Sequence, residues 1–121
     1  MNQSKQVTIW HNPQCSKSRQ ALKLLEEHGV VPQVVRYLDT PPTVHELESV
    51  LTELGIEPRQ LMRTSEAIYR ELGLNNASLT RQELIQAMVE NPRLIERPVV
   101  LSGNRAALGR PPEKVLDVLA C

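Results

Sequence analysis

A short apolar run, Val7-Thr8-Ile9-Trp10, is followed by a polar turn, a helical pattern from about Ser16 to His28, and a second extended run from Gln33 to Leu38. Ala21, Leu22, Leu24 and Leu25 gather on one side of the helical pattern, and Gly29 and Pro32 close it. Two strands separated by a helix of this length pair in parallel, because the crossover needs a dozen residues or more. This opening commits the chain to the α/β class.

The middle of the chain is helical. Thr40-Pro41-Pro42 ends the second strand, and Thr43 with Glu46 has capping-box spacing for a helix bearing Val44, Leu47, Val50, Leu51 and Leu54. Gly55 closes it, and residues from about 58 to 72 read as one or two short helices. Thr80 with Glu83 opens another, stopped by Asn91-Pro92. Arg97 to Leu101 then reads as a strand, Ser102-Gly103-Asn104 as a tight turn, and Arg105 to Leu108 as the returning strand. Pro111-Pro112 leads into a last helix holding Val115, Leu116 and Leu119. The order gives one thioredoxin-like domain over 1–121: a small mixed sheet flanked by helices, with a helical insertion at about 43–92.

Composition sets limits on function. A chain of 121 residues buries a core, and with 2% aromatics and no Phe that core is built from Leu, Ile and Val. Lys+Arg and Asp+Glu are both 14, so bulk charge predicts no attraction to nucleic acid or anionic lipid. No run is apolar and long enough for a membrane span, and the polar start carries no signal-peptide core, so a cytoplasmic protein is expected. The sequence has neither a CxxC pair nor a Cys/His cluster with zinc spacing, and no metal is expected.

Chemistry concentrates in His11-Asn12-Pro13-Gln14-Cys15-Ser16-Lys17-Ser18-Arg19. A cysteine at the turn from strand to helix meets free backbone N–H groups and the positive end of the helix dipole, both of which favour the nucleophilic thiolate. His11 admits two roles, a charged partner of the thiolate or a structural hydrogen-bonding residue. Ser18 occupies the place of a resolving cysteine, so an oxidised Cys15 needs an outside thiol. Ala21 excludes a Cys-x5-Arg phosphate loop. The other cysteine is Cys121, and a reducing compartment disfavours a disulfide between the two.

Arg63, Arg97 and Arg110 stand out by context, although each taken singly reads as a surface residue. Guanidinium groups hold tetrahedral oxyanions through paired, charge-assisted hydrogen bonds. Arg97 and Arg110 each precede a proline, which biases them to extended geometry at loop–strand junctions. Pro98 opens a strand where thioredoxin-like sites carry a cis-proline, while an ordinary X–Pro bond is trans.

His11-Asn12-Pro13-x-Cys15, Ser18-Arg19, Tyr37-Leu38-Asp39-Thr40-Pro41-Pro42-Thr43, Leu61-Met62-Arg63, Glu71-Leu72-Gly73-Leu74, Asn91-Pro92, Arg97-Pro98-Val99-Val100 and Gly109-Arg110-Pro111-Pro112 occur in one order along the chain. In these motifs the chain resembles the glutaredoxin-coupled arsenate reductases, and its short length resembles their chromosomal branch. The resemblance implies that Cys15 attacks arsenate to form a thiol–arsenate adduct, which glutathione displaces and glutaredoxin helps reduce to arsenite. It implies that Arg63, Arg97 and Arg110 hold the oxyanion, that His11 helps activate the thiol, that Asn12 and Ser18 support the site, and that Pro98 is cis. No tightly bound cofactor is implied; glutathione is a co-substrate. Two other readings stay open: a glutathione-dependent thiol reductase with a different substrate, and a non-catalytic redox regulator that binds RNA polymerase. The second usually needs the CxxC that Ser18 interrupts.

Overall fold

The computed structural model describes residues 6–103 and 105–119. Asn104 of the expected hairpin turn, and Cys121 with any disulfide to it, lie outside the described residues. Four strands, β1 (Val7–Trp10), β2 (Gln33–Val35), β3 (Val99–Ser102) and β4 (Arg105–Leu108), form one sheet in the order β2-β1-β3-β4. β1 runs parallel to β2, with Ile9 opposite Val34, and antiparallel to β3, with Ile9 opposite Val100. β3 and β4 form the hairpin, Val100 opposite Ala107. This is the mixed sheet of a thioredoxin-like α/β fold.

The chain divides into two compact units, one of residues 1–40 with 97–121 and the other Pro41–Glu96. In the first, helix α1 (Ser16–Glu27) turns Ala21 and Leu25, one helical turn apart, onto the sheet. There they pack with Val7, Ile9, Val100, Ala107, Val115 and Val118 in a cluster that excludes water. Trp10, the single tryptophan, is buried at the end of β1. Gly29 takes φ +78° just beyond α1, a left-handed turn that glycine adopts without a side-chain clash.

The second unit is helical: α2 (Val44–Leu54), α3 (Ala67–Glu71), α4 (Arg81–Glu90) and 3₁₀ turns at Pro58–Leu61 and Pro92–Leu94. Its bounds extend a few residues beyond the insertion expected at about 43–92. Both capping boxes are formed. Glu46 N–H donates to Thr43 Oγ1 at 3.1 Å and Thr43 N–H to Glu46 Oε1 at 2.8 Å, with the same pair of distances for Thr80 and Glu83. Each box satisfies two amides that a helix start leaves without intrahelical partners. Met62 and Ile95 form an isolated antiparallel bridge within this unit.

Three elements differ from expectation. β2 stops at Val35, because the Arg36 carbonyl accepts the Asp39 and Thr40 N–H groups, both at 2.9 Å, and turns the chain. β3 starts at Val99 rather than Arg97, after a cis Arg97–Pro98 bond; Arg110–Pro111 is also cis. The last helix, Pro112–Leu119, is 3₁₀. With three residues per turn its buried side chains are Pro112, Val115 and Val118, where a 3.6-residue period pointed to Val115, Leu116 and Leu119.

The zero net charge also hides a division. Nine of the 14 Lys and Arg but only five of the 14 Asp and Glu fall in the sheet unit, giving it +4 and leaving −4 for Pro41–Glu96. Among the described residues, no helix is long and apolar enough to cross a membrane.

Candidate active site

The turn after β1 is built by its own backbone. His11 N–H donates to Val35 O at 2.8 Å, extending the β1–β2 pairing past Trp10. Cys15 N–H donates to Asn12 O at 2.9 Å, and Gln14 N–H donates to Asn12 Oδ1, also at 2.9 Å. Asn12 therefore shapes the loop with both of its oxygens. Arg19 Nη1 donates to Pro13 O at 2.8 Å, tying the loop to the first turns of α1. Cys15 is left at the helix start, 9% exposed.

Ser18 is fully buried beneath this turn. Its Oγ accepts the Asn12 N–H at 3.0 Å and meets His11 Nδ1 at 2.6 Å. Burial lowers the pKa of His11, and the charges of Arg36 and Arg19 lower it further. Both effects favour the uncharged ring. Of the two roles open to it, the hydrogen-bonding one has its partner in the buried Ser18 hydroxyl.

The thiol itself is acidified. Burial pushes the Cys15 pKa up, but the Ser18 N–H, the charge of Arg97, the Lys17 N–H and a hydrogen bond from the Arg97 side chain together bring it below the ordinary thiol value. Sγ makes no close capping bond, yet it faces the Ser18 and Lys17 amides at the positive end of α1. Such an arrangement favours a thiolate, and the thiolate is the form that attacks.

Arg97 comes to the site from the segment leading into β3, the strand antiparallel to β1, immediately before cis-Pro98. Arg110 is brought to it by the hairpin: its Nε donates to Arg97 O at 3.1 Å. Gly109 makes this approach possible. Its N–H donates to Pro98 O at 2.8 Å, and a Cβ at Gly109 would lie 2.7 Å from Pro98 Cγ and 3.0 Å from Val115 Cγ1.

The sheet unit therefore gathers His11, Asn12, Cys15, Ser18, Arg97, Pro98 and Arg110. Arg63 belongs to the other unit. There its Nη1 pairs with Glu66 at 3.1 Å and its Nε lies 3.9 Å from Glu96, while its N–H donates to Leu94 O at 2.7 Å. Sequence reading missed these two carboxylates, although Arg63 and Glu66 stand at i,i+3. It also missed Arg36, which reads as one more strand residue until the β1–β2 register brings it beside His11. Among the described residues, no three His, Cys, Asp or Glu side chains gather as a metal site.

The family model described as ArsC family matches residues 10–118. An uncharacterised protein of Escherichia coli (strain K12), YfgD, is 52% identical over 117 residues, spanning 96% of this chain and 98% of that protein. An arsenate reductase of Neisseria meningitidis serogroup A is 48% identical over 115 residues, 94% of this chain and 98% of that one. Among solved structures, an arsenate reductase from Vibrio cholerae aligns with a TM-score of 0.92 at 48% identity, covering 96% of this chain and 99% of that one. With the family's model spanning both units from Trp10 to Val118, and relatives of this closeness covering nearly every residue, the chain belongs to the ArsC family.

Proposed function

We propose that this protein reduces arsenate to arsenite with electrons from glutathione and glutaredoxin, through a thiol–arsenate adduct on Cys15. The observation that carries the reading is the acidified Cys15 thiol beside Arg97, whose carbonyl oxygen holds Arg110. The arsenate reductases at 48% identity support the choice of oxyanion.

In this reading the Cys15 thiolate attacks arsenic and an oxygen of arsenate leaves as water. Arg97 and Arg110 offset the repulsion between an anionic nucleophile and an anionic substrate, and their planar donor pairs fit two oxygens at once. The part of Arg63 rests on the resemblance alone. Ser18 and His11 act on the thiol through position: the buried contact fixes the first turn of α1, which aims the Ser18 amide at Sγ. Overall, arsenate and two thiols give arsenite, a disulfide and water, the two electrons coming from the two sulfurs. Because Ser18 supplies no second thiol, both electrons come from outside the site, from glutathione and then glutaredoxin. Such chemistry suits a reducing compartment, the cytoplasm.

The test is arsenate-dependent NADPH oxidation coupled through glutathione, glutaredoxin and glutathione reductase. Cys15→Ser is expected to lower turnover by at least about a thousandfold, as loss of a nucleophile does. Wild-type activity no greater than that of Cys15→Ser would reject arsenate reduction. A mixed disulfide with glutathione on Cys15 in that case would favour a thiol reductase with another substrate.

A further inference from the structure

Two guanidinium groups border the Cys15 turn without a part in the chemistry above. Arg36 directly follows β2, and the 2.8 Å bond from His11 N–H to Val35 O sets it alongside His11. Arg19 lies on α1 and is fixed to the turn through Pro13 O. The charges of both are felt at the His11 ring, which contacts Ser18, the residue whose amide faces Sγ. The cation that acts on the thiol itself is Arg97.

The Arg36 side chain is 63% exposed, and its Nε pairs at 3.3 Å with Asp39 Oδ2, on a side chain that is 66% exposed. An exposed pair of this kind is weak and exchanges readily for another carboxylate. Exposed Lys17 adds a further cation beside Cys15. All of these residues lie in the unit of net charge +4. The surface near the Cys15 turn thus suits a thiol that carries carboxylates.

We propose that Arg36 and Arg19 form a rim that binds the carboxylates of the incoming thiol co-substrate, apart from the oxyanion-holding Arg97 and Arg110. The proposal rests on the reading above only in that an external, carboxylate-bearing thiol must reach Cys15. Asp39 is then a built-in competitor: it occupies Arg36 until a carboxylate of the co-substrate replaces it. The rim selects among thiols by charge, whereas the clamp selects among oxyanions.

The test uses the full chain and needs no arsenate. The Cys15 thiolate attacks one sulfur of glutathione disulfide; the Cys15–glutathione S–S bond forms, the original S–S bond breaks, and one glutathione leaves as thiolate. The rate of this step, read by mass spectrometry, is compared with that for 2-hydroxyethyl disulfide, which carries no charge. Arg36→Gln is expected to slow the glutathione reaction about three- to fivefold and leave the neutral one unchanged. Asp39→Asn should accelerate the glutathione reaction alone. Equal rates with glutathione disulfide for wild type and Arg36→Gln, or equal slowing with both disulfides, would overturn the rim. Arg19→Gln provides a second variant if Arg36→Gln does not fold. Loss of the charge-selective effect refutes the rim even if arsenate is reduced, and its presence sustains the rim even if arsenate is not.

Discussion

Cys15 is acidified against the effect of its own burial, so removing one of its supports should move its titration upward. Arg97 contributes both a charge and a hydrogen bond. Arg97→Gln is therefore expected to shift the pH profile of Cys15 alkylation by iodoacetamide to higher pH, leaving less thiolate at neutral pH. An unchanged profile would remove Arg97 from the thiol's environment. The residues acting on Cys15 through the backbone are legible in the sequence because they are local: Ser18 and Lys17 lie within one helical turn of it. Arg36 was not legible. It lies 21 positions from Cys15 in the sequence, and only the register of two strands brings it beside His11. The charge state of His11 was also hidden, since it depends on burial and on two guanidiniums that a linear sequence does not gather.

Among the elements, those with local signals were read correctly. The Thr43–Glu46 and Thr80–Glu83 boxes, the glycine after α1 and the existence of the hairpin each follow from a few adjacent residues, although Ser102, expected in the turn, pairs with Arg105 in the ladder. The end of β2 and the 3₁₀ form of Pro112–Leu119 were not, because a carbonyl turning the chain at Arg36 and a choice between periods of 3.0 and 3.6 are settled by packing. The join of the two arginine-bearing segments is likewise a packing feature, and it has a sharp test. Gly109→Ala places a methyl group against the Pro98 ring and Val115, in a core with no flexible side chain to yield. Overpacking of this kind is expected to cost about 1–3 kcal/mol, measured by urea denaturation. Because the strain falls on Pro98, the same variant should also alter Cys15 alkylation, whereas a purely remote destabilisation would leave that rate unchanged in the folded protein.

For the whole molecule, the class of fold was legible because the strand–helix–strand opening and the closing hairpin specify a mixed sheet. The partition of charge was not, since a composition of 14 against 14 conceals it until the chain is divided in space. That partition, +4 on one unit and −4 on the other, has a consequence for how copies of the protein behave toward each other. With no net charge to hold them apart, the positive part of one copy attracts the negative part of the next, and added salt weakens that attraction. The second virial coefficient, from static light scattering near pH 7, should therefore rise between about 0.01 and about 0.15 M salt, as the Debye length falls from about 30 to about 8 Å. A coefficient that falls with salt would mean that the opposing charges do not govern the attraction. In colloidal terms this is a protein that dissolves better in brine than in pure water.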